Sequence, residues 1–161
     1  MKILHVLDHS LPLQSGYVYR TLGILRTQRS FGWETVQLTT PRNHDATAPS
    51  ESVGEWTFLR TPKPKAPGAG LPLLREICEI AATAGRLRRA VDAERPDIIH
   101  AHSPLLNALP TIRVGRERGI PVVYEVRALW EDAAVDLGHS SEGGLRYGLT
   151  RRLDTIALRR A

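Results

Sequence analysis

Two histidines separated by one residue stand at the end of an apolar run in the middle of the chain. Residues 97–104 read DIIHAHSP, and strand alternation places His100 and His102 on one face, with His102 at the carboxyl end. This position predicts that His102 faces a cleft, whereas a hydrogen-bonded structural role fits His100 better. No nearby Cys, Asp or Glu supplies a third metal ligand, so the sequence does not favour a zinc site. Ser103, His102 and Asp132 are the residue types of a hydrolase triad, but the chain lacks a GxSxG elbow, which sets that reaction aside.

A dense cluster of charged residues follows another apolar run, in YEVRALWED at residues 124–132. Arg127 stands just beyond the predicted strand and could bind a phosphate or carboxylate with two parallel hydrogen bonds. Glu125 could pair with Arg127 or bind sugar hydroxyls. The alternative is that Arg127 is a structural arginine held in a salt bridge.

A polar loop with a glycine joins the first apolar run to a helical pattern. The loop runs from Asp8 to Tyr17 and places Ser15 and Gly16 at the predicted helix start. A helix N-terminus offers free N–H groups and the positive end of the helix dipole, and glycine lets a phosphate approach closely. The loop has neither the full GxGxxG fingerprint nor a Walker lysine, and a plain helix cap is the alternative to phosphate binding.

Strand and helix patterns alternate along the chain. Strands are predicted at 2–7, 34–40, 56–60, 97–101 and 121–126, and helices at 18–31, 73–91, 104–118 and 141–161. No regular structure is predicted at 42–55 or 61–70, and Ser103 is predicted to cap the third helix. Helical crossovers join parallel strands, so we expect a Rossmann-like α/β fold with one parallel sheet and helices on both faces. The first, fourth and last strands should end at a common edge, near Asp8, His102 and Arg127.

Length and composition indicate one globular domain. The chain has 161 residues, of which 42% are hydrophobic and 24% charged, enough for a single core. The single Cys78 cannot form an internal disulfide, and no signal peptide or membrane span is apparent, which favours the cytoplasm. A net charge of +5 suits an anionic partner. The basic residues are spread out without a nucleic-acid-binding motif, so nucleic acid is not the expected partner.

Several segments together resemble the N-terminal domain of the family-four glycosyltransferases of the GT-B fold. They are the strand and loop MKILHVLDH and LPLQSGYVYR, the segment RPDIIHAHSP, and IPVVYEVRALWEDAA. The longer phrases SGYVYRTLGILRTQRSFGWETVQLTT, HAHSPLLNALP and YEVRALWEDAAVD are similar to glycosyltransferases associated with exosortase A export systems. The resemblance covers essentially the whole chain and rests on the order and spacing of the motifs.

The resemblance implies transfer of a sugar from a nucleotide-sugar donor to a glycan or lipid-linked acceptor, with retention of configuration, no metal and no other cofactor. The setting it implies is exopolysaccharide or cell-envelope synthesis. It also implies that the chain is a single acceptor-side domain, inactive alone, whose donor-binding partner domain would follow Ala161. Family members commonly have a histidine where this sequence has Arg127.

On these grounds we assign roles to nine residues. The catalytic candidates are Arg127 and His102; the substrate-binding candidates are Ser15, Gly16, Tyr17, Arg20, His9, Ser103 and Glu125. The rival hypothesis is a non-catalytic module that binds a nucleotide or the surface of the inner membrane. Arg86, Arg88 and Arg89 and the arginines of the last predicted helix would contact anionic lipid in that case, and the enzyme itself could be peripheral on the cytoplasmic face.

Overall fold

The computed structural model describes residues 1–43, 48–64 and 72–127, with residues 152, 155, 157–159 and 161. Six strands and three helices follow one another within these ranges. In chain order they are β1 (Lys2–Leu7), α1 (Gly16–Ser30), β2 (Glu34–Thr39), β3 (Ser50–Val53), β4 (Trp56–Arg60), α2 (Pro72–Glu94), β5 (Ile98–His102), α3 (Leu105–Arg118) and β6 (Val122–Glu125).

The six strands form one sheet in the order β3-β4-β2-β1-β5-β6. Every neighbouring pair is parallel except β3 and β4. From the central strand β1 the chain winds through α1 to β2 on one side, and later through α2 to β5 on the other. The direction of winding therefore reverses between β1 and β5. This architecture confirms the predicted Rossmann-like α/β fold.

The antiparallel edge strand β3 corrects the prediction that residues 42–55 lack regular structure. It pairs with β4 through a two-residue turn, in which Gly54 takes a φ of 62°. Glycine is favoured at that position of a hairpin turn because its backbone tolerates positive φ. The β3 sequence SESV contains a single apolar residue, so hydrophobic periodicity gives no signal for it.

Alternate side chains of β1 pack into two different hydrophobic clusters. Leu4 and Val6 pack with α2, in a cluster that also contains Leu87 and Val91. Leu7 faces the opposite side and packs with apolar residues of α1 and β4. His5 has the same parity as Leu7 and therefore lies on the α1 side of the sheet.

The N-terminus of α3 differs from the sequence prediction. The cap residue of α3 is Pro104, which makes no side-chain capping bond, so the assignment of Ser103 as the cap is wrong. The Ser103 hydroxyl instead accepts a hydrogen bond from the Arg127 amide at 3.2 Å. The predicted helix at 141–161 lies mostly outside the described residues. Within the described ranges, no helix combines the length and apolar character needed to cross a membrane.

Gly115→Ala is expected to lower the free energy of unfolding by about 1–3 kcal/mol through overpacking. A Cβ at this position of α3 would lie 2.3 Å from Val122 Cγ2 and 2.9 Å from the Ile120 carbonyl oxygen. Urea unfolding measures the change.

Gly85→Ala in α2 is the matched control, because a Cβ there meets nothing within 4 Å. It should raise stability by about 0.5–1 kcal/mol, since alanine is the better helix former. Equal effects of the two substitutions would contradict close packing of α3 on β6.

Candidate functional site

The ends of β1, β5 and β6 form one edge of the sheet. The crevice between β1 and β5 lies where the winding direction reverses, which is where open α/β sheets bind ligands. Asp8 begins the loop after β1, Ser103 begins the loop after β5, and Arg127 follows β6 by two residues. The predicted common edge near Asp8, His102 and Arg127 is therefore confirmed.

The loop after β1 ends in a capped helix start. The Ser15 hydroxyl accepts a hydrogen bond from the Val18 amide at 3.2 Å. The same hydroxyl is 3.0 Å from His9 Nε2, and His9 Nδ1 is 3.0 Å from Asp8 Oδ2. Gly16 is exposed, and no hydrogen bond within the described ranges uses its amide. Ser15 is thus a helix cap, while the first turn of α1 retains an N–H group for an anion.

Tyr17 connects this loop with Arg127. The Tyr17 hydroxyl accepts a hydrogen bond from the Asp8 amide at 3.1 Å. Its ring lies 4.4 Å from the His9 ring and 4.3 Å from Arg127 Cζ. Burial raises the pKa of Tyr17, so the phenol stays neutral. Asp8 Oδ1 is buried without a hydrogen-bond partner among the described residues, so it is an acceptor that these residues leave unused.

Arg127 is bound on all sides by protein groups, and only 7% of its side chain is exposed. Its Nη1 donates to the Tyr17 carbonyl oxygen and to Thr21 Oγ1, each at 2.9 Å. Nε and Nη2 reach the Glu125 carboxylate at 3.3 Å, and Nη2 also donates to His102 Nδ1. This geometry favours the structural alternative named for Arg127, and its catalytic role stays a prediction.

Glu125 gathers several positive or proton-donating groups. Besides Arg127, Arg20 Nη2 lies 2.9 Å from Oε1, and 58% of the Arg20 side chain is exposed. Ring nitrogens of His102 and His100 lie 3.0 and 3.4 Å from Oε2. Burial alone would raise the pKa of Glu125, but its contacts with His102 and Arg127 lower that pKa well below its usual range. Glu125 is therefore ionised, and Arg20 keeps N–H groups available for a ligand.

Two histidines form a buried hydrogen-bonded chain behind this cluster. His102 Nδ1 has two partners that require opposite roles: the Arg127 guanidinium can only donate to it, and the Glu125 carboxylate can only accept from it. On the other side of the ring, His102 Nε2 lies 2.9 Å from His5 Nδ1, and His5 Nε2 lies 2.8 Å from Gln28 Oε1. Burial lowers the pKa of His102 to about 4 and that of His5 well below its ordinary value, so both are neutral at pH 7.

The prediction that His102 faces the cleft is wrong, because its side chain is fully buried. It lies at the predicted strand end, but the Arg127 side chain bonds to its ring and the centre of the His5 ring lies 5.2 Å from the centre of its own. The expectation that His100 is hydrogen-bonded is not met at Nε2, which is buried without a hydrogen-bond partner among the described residues.

The structure adds the third imidazole that the sequence search did not find. No Cys, Asp or Glu near residues 100–102 offered a third ligand, but His5 lies opposite His100 on the adjacent strand. One ring nitrogen from each of His5, His100 and His102 lies within 4.8 Å of the others.

This group does not suit a divalent cation. The His100 and His102 rings stack at 4.1 Å with 23° between their planes, so their in-plane lone pairs run side by side instead of converging. His5 and His102 already bond to each other, and the positive Arg127 guanidinium bonds to the same His102 ring. The arrangement is better described as a neutral histidine chain that supports Glu125 and Arg127.

All nine predicted site residues lie in this one connected region. Arg20 and Arg127 meet on Glu125, Tyr17 touches Arg127 and His9, and Ser103 receives the Arg127 amide. The sequence reasoning missed two members, His5 and Thr21. His5 could have been found because it is a polar residue at a core position of a buried strand. Thr21 could have been found only by working out which face of α1 packs against the sheet.

Comparisons with known proteins identify the family. The model of the Glycosyl transferase 4-like domain matches residues 15–161. A comparison with curated proteins found no match.

Solved structures share the fold. MurG from Acinetobacter baumannii aligns with a TM-score of 0.55 at 13% identity, over 99% of this chain and 39% of that one. CalG4, the calicheamicin glycosyltransferase, gives 0.52 at 16%, over 96% and 42%. The C-terminal domain of the PF1911 hydrogenase from Pyrococcus furiosus gives 0.54 at 15%, over 77% and 90%.

At these identities the likeness concerns the fold alone, and the chain spans less than half the length of the two glycosyltransferases. The family model, in contrast, covers most of the chain, including α1 and the loops after β5 and β6. The chain therefore belongs to the glycosyl transferase 4-like domain family and has the fold of the N-terminal half of a GT-B glycosyltransferase.

Proposed function

We propose that this chain is the acceptor-side domain of a retaining glycosyltransferase that moves a sugar from a nucleotide-sugar donor to a glycan or lipid-linked acceptor, without a metal or other cofactor. The observation that carries the proposal is the start of α1 at the point where the winding reverses. There the exposed Gly16 lies one helical turn before Arg20, whose side chain is more than half exposed. Both groups suit a diphosphate.

Acceptor groups at the same edge suit a sugar. Asp8 Oδ1 is buried without a hydrogen-bond partner among the described residues, and the Glu125 carboxylate is ionised beside Arg20. Carboxylate oxygens accept hydrogen bonds from hydroxyls. The edge thus combines N–H donors for phosphate with acceptors for sugar hydroxyls, which is the combination that a nucleotide sugar requires.

The remaining parts of the proposal rest on the family resemblance. A donor-binding domain beyond these residues would complete the site, so the 161 residues alone would be inactive. Exopolysaccharide or cell-envelope synthesis, in association with an exosortase A system and on the cytoplasmic side of the membrane, is the setting that the resemblance implies.

Among the three arginines of α2 considered for a peripheral membrane contact, Arg89 is exposed. Arg86 donates to two backbone carbonyl oxygens and Arg88 pairs with Glu117, so two of the three candidate arginines of α2 already bind protein groups. The last predicted helix lies mostly outside the described residues. Apolar residues are exposed at the start of α2 and would be the contact in this proposal: Leu73, Leu74 and Ile77.

Gly16→Ala is expected to raise the KM for the nucleotide sugar about tenfold in the full-length protein, because a methyl group blocks close approach of a phosphate to the helix start. A Cβ at Gly16 meets nothing within 4 Å, so thermal stability should not fall. Nucleotide release from a panel of nucleotide sugars is the assay.

Gly23→Ala is the matched control, since it is also an exposed glycine of α1 with nothing within 4 Å of a Cβ. It lies two turns further along the helix and should leave the KM unchanged. An unchanged KM in Gly16→Ala would contradict phosphate binding at this helix start. Nucleotide binding by the full-length protein without release from any donor would favour the non-catalytic module.

A further inference from the structure

The last residue of β4 is an arginine whose side chain is completely buried. Arg60 is 0% exposed, although arginine is rarely buried unless its charge and N–H groups are paired. Its Cζ lies 4.8 Å from the centre of the Phe58 ring. The sequence-based prediction of this strand gave Arg60 no role, and neither does the proposed sugar transfer. A buried charge of this kind calls for an explanation in terms of what it holds together.

The guanidinium of Arg60 has a protein partner for each of its N–H groups. Nε donates to Glu51 Oε2 at 2.9 Å, and Nη2 lies 2.7 Å from the same carboxylate. Nη1 donates to Ser10 Oγ at 2.6 Å and to Thr39 Oγ1 at 3.3 Å. Nη2 also donates to the Leu11 carbonyl oxygen at 2.7 Å. A planar fork with five donors can satisfy this set, whereas a lysine ammonium has three.

These partners belong to two different parts of the molecule. Glu51 and Thr39 are in strands β3 and β2, so they belong to the sheet. Ser10 and Leu11 are in the loop that leads from β1 to α1. Arg60 therefore ties this loop to the sheet across sequence separations of 50 and 49 residues.

Two further bonds hold the same loop. Asn43 Oδ1 accepts a hydrogen bond from the Ser10 amide at 2.9 Å. Thr40 Oγ1 donates to the Asp8 carbonyl oxygen at 3.2 Å. Beyond the clamped residues the loop runs only to Ser15, where α1 is capped. The position of the helix start therefore depends on where Ser10 and Leu11 are held.

We infer that Arg60 is a positioning residue, which clamps the loop between β1 and α1 so that Ser15 and Gly16 present the N-terminus of α1 to the diphosphate of a nucleotide sugar. The inference rests on the proposed function for its ligand, but the clamp itself is a property of this chain. Arg60 acts through Ser10 and Leu11 and does not touch the ligand, because its own guanidinium is buried.

The first arm of the test measures amide hydrogen exchange of the loop in the 161-residue chain, so it requires no assay of enzymatic activity. The Leu13 amide donates to the Ser10 carbonyl oxygen at 3.2 Å. In Arg60→Lys, hydrogen exchange of the Ser10 and Leu13 amides should become about tenfold faster, because the fork that holds the loop is replaced by a point charge. Amides of α3 should keep their exchange rates. Arg86→Lys is the matched control, since Arg86 is a neighbouring arginine that donates to the Arg60 carbonyl oxygen but not to the loop.

A second variant covers the case in which Arg60→Lys does not fold. Ser10→Ala removes one loop-side acceptor and leaves Arg60 in place, so it should also speed loop exchange, by a smaller factor. Ser52→Ala serves as its control, because within the part of the chain that the structure describes the Ser52 hydroxyl bonds inside the hairpin, at 3.0 Å from Thr57 Oγ1. Loop exchange that is unchanged in both Arg60→Lys and Ser10→Ala would overturn the clamp.

The second arm uses the full-length protein and nucleotide-sugar turnover. Arg60→Lys should raise the KM for the nucleotide sugar about tenfold with little change in kcat, because loop position affects donor binding and leaves the reacting groups in place. A fall in kcat at unchanged KM would overturn the positioning role. Faster loop exchange together with unchanged KM and kcat would instead contradict the donor role given to this loop under the proposed function, with the clamp itself upheld.

Discussion

Arg127→Ala is expected to lower the free energy of unfolding by about 3–5 kcal/mol, as is usual when one partner of a buried ion pair is removed. The Arg127 side chain is 7% exposed and that of Glu125 is 16% exposed, so solvent cannot replace the lost partner fully. His102 and Thr21 would also lose a hydrogen-bond donor. Chemical denaturation of the 161-residue chain measures the effect.

The exposed pair of Arg113 and Glu117 provides the control. These residues lie one turn apart on α3 at 3.0 Å, and 72% of the Arg113 side chain is exposed. Arg113→Ala should therefore change stability by less than about 1 kcal/mol. A similarly small effect of Arg127→Ala would contradict the interpretation of Arg127 as the centre of a buried network.

The catalytic hypothesis for Arg127 makes a separate prediction about turnover. In the full-length protein Arg127→Ala should lower kcat about a hundredfold if the guanidinium stabilises charge on the donor phosphate or an anionic acceptor. Arg127→Lys should recover only part of this, since a point charge replaces a bidentate fork. The assay must run well below the melting temperature of each variant. Near-normal turnover with lowered stability would assign Arg127 to the structure alone.

Acidification from pH 7 to pH 4.5 is expected to destabilise the folded chain. The pKa of His102 is about 4 when folded and 6.5 when unfolded, because burial disfavours the charged ring. Between these values the unfolded state binds more protons. The contribution of His102 to stability is therefore fully present above pH 6.5 and is lost as the pH falls towards 4. A shift of this size corresponds to about 3 kcal/mol, and the pKa values of His5 and His100 are lowered in the same direction.

Thermal melts across this pH range test the prediction, with His102→Asn as the comparison. The variant removes the titrating ring, so it should be less stable at pH 7 but show a flatter decline on acidification. The physical reason is local: a positively charged His102 ring would be buried and would lie against the positive Arg127 guanidinium. Equal slopes in the two proteins would show that His102 is not the group that titrates.

The amino-acid sequence by itself determined the alternation of elements, the sheet and its functional edge. Apolar runs bounded by Gly119, Pro96 and similar breakers locate strands and helices because these signals act over a few residues. Parallel strands have their carboxyl ends at the same edge of the sheet, so the meeting of Asp8, His102 and Arg127 could be predicted without coordinates. Edge strand β3 was missed because the sequence SESV carries no hydrophobic period.

Only the tertiary structure decided which polar side chains are buried and what they bind. His102 was predicted to face a cleft because it stands at a strand end, but it is fully buried and bonds to the side chain of Arg127, which is 25 residues away. Arg60 is the last residue of a strand, and a charged residue at a strand end is normally exposed to solvent. Its burial depends on acceptors at positions 10, 11, 39 and 51, which no local pattern brings together. Local sequence fixes the backbone period, whereas the pairing of buried charges is a long-range property of the packed chain.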